Sequence, residues 1–206
     1  MSDPTSKNQD TPPEASQDDA INPSRRKLAG AALGVSAVFT LASRPVWANQ
    51  CTISGMASGN LSAPKVTCEG CTPGFWKQCQ HLDSWVGFKP SDSFNTVFGV
   101  TQYVDPRTGA PYTLLDVMGL TGKTTSGSVN CSALPDDYAV NDMGQDPVSP
   151  SLGMHAVAAL LNAASGINYG YTAGEIITLF QNNVLTKPAA LKDSLAMLNE
   201  RGCPLS

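Results

Sequence analysis

Six cysteines, Cys51, Cys68, Cys71, Cys79, Cys131 and Cys203, constrain this chain of 206 residues more than any other feature. Their number is even and none falls in the first fifty residues. That distribution predicts an oxidising compartment and a framework of three disulfides, each contributing about 2–4 kcal/mol. Six cysteines allow about fifteen pairings, and spacing does not choose among them. Cys51 and Cys203 flank the rest, so bridges through them are expected to pin segments that would otherwise fray. The staples matter because the core is expected to be modest: only 41% of residues are hydrophobic and 7% aromatic. Gly 18 and Pro 15 nevertheless stay below the level of a low-complexity chain.

The first fifty residues read as an address. Residues 1–23 are rich in Asp, Ser, Gln and Pro, lack any apolar run and read as a disordered leader. Ser24-Arg25-Arg26-Lys27-Leu28 then opens a weakly apolar stretch from Leu28 to Ala42, followed by Arg44-Pro45 and Val46-Trp47-Ala48. Residues 24–48 have the layout of a signal peptide of the twin-arginine type. No stretch reaches the ~20 apolar residues of a bilayer span, so no mature transmembrane segment is expected. A net charge of -4 without a basic cluster in the body gives nucleic acid no electrostatic footprint.

Residues 49–70 show no apolar periodicity and are expected to form an irregular arm. Residues 71–206 read as short helices joined by turn-rich loops. Thr72 as cap and Pro73 at the first position predict a helix to about Trp85. Phe94, Val97 and Phe98 at i, i+3, i+4 predict a second, stopped by Gly99, and residues 113–119 a third. Residues 121–150 read as a long loop held by Cys131. Beyond it come a helical stripe on Leu152, Ala156, Ala159, Leu160 and Ala163, and a capping box at Thr172 and Glu175 ahead of Ile176 and Phe180. Pro188 opens a last helix, with Gly202 expected as its terminator. The expected fold class is all-α: a small disulfide-stapled antiparallel helical domain with long irregular loops.

Residue types capable of chemistry are few. Cys68, Cys71, Cys79 and His81 have the makings of a zinc knuckle, yet an exported thiol meets oxidants before scarce metal. Disulfides are therefore the favoured reading. His81 and Asp83 have the types of a base and its orienter, and His155 would complete a site if its helix met theirs. A histidine on such a helix is more often simply packed. Asp136, Asp137, Asn141, Asp142 and Asp146 offer oxygen ligands suited to calcium but lack the EF-hand order, so a solvated acidic loop is favoured. Phe75, Trp76 and Trp85 read as core aromatics rather than a sugar platform. No cofactor is expected.

Three blocks carry a resemblance: Cys71-Thr72-Pro73-Gly74-Phe75-Trp76-Lys77 with Trp85; His155 to Ala164 with Tyr169; and Asn199-Glu200-Arg201-Gly202-Cys203-Pro204-Leu205. In this order they resemble a family of secreted bacterial proteins marked by a Cys-Thr-Pro-Gly-Tyr/Phe-Trp-Lys-Asn-His motif. This chain departs after Lys77, with Gln78-Cys79-Gln80-His81 where the family has Asn-His. The resemblance implies export and a disulfide-bearing helical domain, often in surface or matrix proteins, and no established reaction. The expectation is therefore a binding or structural module of the cell envelope or exterior, periplasmic, surface-bound or extracellular, without catalysis of its own. Its expected partners are other envelope or matrix proteins or itself. The alternatives are an exported metal-dependent hydrolase using His81, Asp83 and His155, and a self-assembling surface or filament subunit.

Overall fold

The computed structural model describes residues 51–57, 67–120 and 144–205. The leader, the signal segment, Cys131 and the acidic residues Asp136, Asp137, Asn141 and Asp142 lie outside the described residues. Those described are helix-rich and contain no strand, only antiparallel bridges joining Gly70 to Gly202, Ser93 to Thr113 and Val104 to Pro111.

The helices follow local sequence signals closely where those signals are strong. Within the expected irregular arm lies a short helix, α1 (Ile53–Ala57), whose Gly55 amide donates to Thr52 Oγ1 at 3.0 Å. Next comes α2 (Pro73–Trp76), capped by Thr72 with Pro at the first position. It does not continue to Trp85: Gln78 is extended, and the chain resumes as a 3-10 helix over Cys79–Ser84. The cause is tertiary. The Trp85 indole donates to the Trp76 carbonyl at 3.2 Å, occupying the acceptor that a continuing α-helix would use. α3 (Phe94–Phe98) is capped by Ser93 and stopped by Gly99 at φ 63°. α4 (Leu114–Gly119) opens on a capping box in which Thr113 and Asp116 exchange hydrogen bonds of 2.8 and 3.1 Å.

Three longer helices follow. α5 (Leu152–Ala164) is buried along most of its length, from Leu152 and Gly153 through Ala156–Asn162. A helix apolar nearly all round belongs at the centre of a domain, and α5 accordingly packs against α2, α4 and both remaining helices. α6 (Ala173–Asn183) opens on the expected box of Thr172 and Glu175 and buries Ile176, Leu179 and Phe180. α7 (Pro188–Asn199) buries Leu191, Leu195 and Leu198. It ends before Gly202, which at φ 101° serves the bridge to Gly70 rather than terminating the helix. Phe94, Phe98, Tyr103 and Phe180 gather between α3 and α6, with ring centroids 4.1–6.2 Å apart. Each such side chain, fully buried, contributes about 1.5–3 kcal/mol.

Two disulfides tie the described parts together. Cys51–Cys68 closes 17 residues and Cys71–Cys203 closes 132. On the chain-entropy account these constrain the unfolded state by about 3 and about 5 kcal/mol. Cys79 is also disulfide-bonded.

Candidate functional site

The three sequence blocks singled out above converge on one buried polar cluster. Its centre is Asn162, on the last full turn of α5 and without solvent exposure. Asn162 Oδ1 accepts from the Cys71 amide at 2.9 Å and from the Trp76 indole at 3.0 Å. Asn162 Nδ2 donates to the Cys71 carbonyl at 2.8 Å and to Asn199 Oδ1 at 3.0 Å. Two donors and two lone pairs are all that a carboxamide has, so its capacity is filled. Asn199, equally buried at the end of α7, accepts a second bond from the Tyr169 hydroxyl at 2.7 Å and donates to the His155 carbonyl at 3.0 Å. Burial raises the Tyr169 pKa well above the ordinary phenol value, so this hydroxyl remains a neutral donor.

The segment after Asn199 clasps the other side. Arg201 donates through its guanidinium to the Cys51 carbonyl, Gly70 donates its amide to the Gly202 carbonyl at 3.0 Å, and Cys203 bonds Cys71. At Gly70 the backbones come so close that a Cβ would sit upon the Leu198 carbonyl oxygen. Ile53 completes the clasp, its amide donating to the Tyr171 hydroxyl at 3.0 Å.

The residues with catalytic side-chain types are placed apart from one another in bonding terms. His81 is half-buried and stacks on Phe75, centroids 3.9 Å apart and planes 21° from parallel. Asp83 is exposed at the end of the 3-10 helix. His155 lies on α5 facing α7, and its buried Nδ1 meets no hydrogen-bond partner among the described residues. No hydrogen bond or ion pair links these three side chains. Cys68 and Cys71 are bonded to different partners and Cys79 is also oxidised, so the knuckle of Cys68, Cys71, Cys79 and His81 is not assembled as a thiolate site. No group of three His, Cys, Asp or Glu side chains placed to hold a metal occurs among the described residues.

Asp146, grouped above with the acidic loop, is buried ahead of α5. It accepts from the amides of Val148 at 3.0 Å, Ser149 at 3.2 Å and Gly153 at 2.6 Å, and from the Tyr103 hydroxyl at 3.2 Å. It thereby caps α5 from a distance, while Ser151 adopts a left-handed φ of 63° and makes no side-chain cap. Burial raises its pKa above the ordinary carboxylate value, against the pull of the three amides and the tyrosine. Burial, reinforced by the Asp146 charge, also pushes the Tyr103 hydroxyl far above its usual range.

The histidine has a pH signature of opposite sign. Burial lowers the pKa of His155 below 6.5; Glu200 and Asp193 on the facing segment pull it back up and Lys192 pushes it down. A depressed folded-state pKa contributes stability above the unfolded value that is lost as pH falls through the folded one. Denaturation curves from about pH 7.5 to about pH 5.5 are expected to show this loss, and His155→Gln to flatten it. An equal loss in the variant assigns the effect elsewhere. Asp146 acts with the other sign: its contribution is present below 3.8 and lost as pH rises through its raised pKa.

The roles of Asn162 and Asn199 were not assigned from the sequence, although both sit in the quoted blocks. The usable signal was, for Asn162, a lone amide in the otherwise apolar run Ala156–Ala164, a polar group that burial obliges to find partners. Comparison of the chain with protein-family models, curated proteins and solved structures finds no match.

Proposed function

We propose that the chain is an exported, all-α, antiparallel helical module, stapled by disulfides, that binds or builds at the cell envelope or outside the cell without catalysis of its own. One observation carries this reading: Cys71, Trp76, Asn162, Tyr169, Asn199 and Cys203, drawn from the three sequence blocks, bond to one another inside the fold. A motif engaged in this way specifies architecture and leaves the outer surface to recognise a partner. Support for export comes from the disulfides and from the cysteine-free leader.

The count of six cysteines also bears on the third bond. Cys79 is oxidised while the four cysteines of the two described bonds are paired to each other, so its partner is none of Cys51, Cys68, Cys71 and Cys203. Non-reducing peptide mapping of protein purified from the producing cell is expected to yield a Cys79–Cys131 peptide. The same sample's intact mass is expected to begin near Asn49, whereas a retained leader counts against export by cleavage.

The hydrolase reading has a single observation in its favour, the unpartnered Nδ1 of His155. His81→Ala and His155→Ala, assayed separately for simple-ester hydrolysis and bound metal, test it: the proposed module shows neither, before or after substitution. Ester turnover abolished by either change overturns the non-catalytic reading. Sedimentation of the purified protein separates a monomeric binder from a self-assembling subunit.

A further inference from the structure

We propose that Cys71–Cys203 is a covalent lock closed over a clasp that non-covalent contacts already hold, and that Cys203 is the site at which a low-molecular-weight disulfide or thiol enters. The two cysteines are positioned by their neighbours rather than by their sulfurs. Both backbone polar groups of Cys71 are held by the Asn162 side chain, at 2.9 and 2.8 Å. The residue before it, Gly70, is bonded to the residue before Cys203. Asn199 and Arg201 hold the approach to Cys203, through Asn162, Tyr169 and the His155 carbonyl on one side and the Cys51 carbonyl on the other. None of these bonds to Asn162, Asn199 or Gly70 uses a sulfur atom, so reduction of Cys71–Cys203 leaves each donor and acceptor in place. Closing 132 residues is the entropic obstacle to such a bond. Packing of α5 against α2 and α7 surmounts it before any oxidant acts.

Exposure sets the direction of exchange. Cys71 has no solvent exposure, whereas Cys203 is half-buried. The Cys203 thiolate therefore attacks one sulfur of a small disulfide such as glutathione disulfide. The S–S bond of that reagent breaks, one small thiolate departs and takes up a proton, and a mixed disulfide remains on Cys203. Cys71 then loses its proton and its sulfur displaces the second small thiolate. In all, two protein thiols give up two electrons and two protons, and one small disulfide becomes two thiols. A small thiol reverses the sequence by attacking at Cys203.

The test is differential alkylation of the full protein, reduced without denaturant and pulsed with iodoacetamide, each site read by peptide mass spectrometry. Cys71 in the reduced protein is expected to react at least about 100-fold more slowly than in urea, and more slowly than Cys203. On addition of glutathione disulfide, the first mixed disulfide is expected at Cys203. Asn199→Ala is expected to lose most of the Cys71 protection once reduced. Alkylation of reduced wild-type Cys71 at the urea rate overturns the proposal, as does unchanged protection in Asn199→Ala. A first adduct on Cys71 overturns the assigned entry site. The wild-type comparison decides the preformed clasp even if the variant does not fold.

Discussion

Asn162→Leu is expected to destabilise the protein by at least about 4 kcal/mol, a large part of the about 5–15 kcal/mol that holds a domain folded. Leucine keeps the branched heavy-atom skeleton of asparagine, with bulkier methyl groups in place of the amide, and offers no polar atoms. It leaves the Cys71 amide and carbonyl, the Trp76 indole and Asn199 Oδ1 without their partner, all in the dry interior. Each buried group so orphaned costs about 1–3 kcal/mol, and the costs are not additive because the groups share one side chain. Asn199 Oδ1 keeps the Tyr169 hydroxyl, so it suffers least. For a chain of this size, thermal unfolding is expected to move down by about 8–16 °C. A loss below about 1 kcal/mol would mean that the cluster is incidental and that apolar packing of α5 alone holds the three blocks together.

Gly70→Ala is expected to cost about 3 kcal/mol or more and to lower the yield of the Cys71–Cys203 bond. The added carbon meets backbone, the Leu198 carbonyl and the Asn199 Cα, and neither can rotate away as a side chain does. Relief requires the end of α7 to withdraw, which pulls Gly202 from its bridge and Cys203 from Cys71. Gly174→Ala is the matched control. It lies in the first turn of α6 with nothing near the new carbon, and the loss of backbone freedom in the unfolded chain makes it neutral or stabilising by up to about 1 kcal/mol. Thiol titration beside urea denaturation reads both effects. A fully oxidised Gly70→Ala of unchanged stability would show that the two segments do not need so close an approach.

What was legible in the sequence was legible because it was local. Thr172 and Glu175, Pro188 and Gly99 each lie within a few residues of the helix end they mark, and the structure follows them, with Ser93 as the cap of α3. The break after α2 was hidden because the group that ends it, the Trp85 indole, arrives from nine residues away and acts through the tertiary fold. α1 was missed for another reason: five residues without an apolar stripe are too few to be helical alone, and neighbours supply the stability. Asp146 read as an oxygen ligand among others, since the three amides and the tyrosine that claim it are visible only once α5 and Tyr103 are in position. The cysteine pairs obey the same division. The even count and the cysteine-free leader pointed to oxidised cysteines, as Cys51, Cys68, Cys71, Cys79 and Cys203 are, while pairing depends on the crossing of segments 132 residues apart.

That separation also sets a clock. A ribosome adding about 5–20 residues per second reaches Cys203 about 7–26 s after Cys71. Within that interval the Trp76 indole and the Cys71 backbone await Asn162, 91 residues beyond Cys71, and Asn162 in turn awaits Asn199, a further 37 residues on. The apolar motif at the start of the domain is thus the part of the nascent chain most exposed to chaperones and to its own copies. A translational pause placed before Asn199 prolongs that exposure.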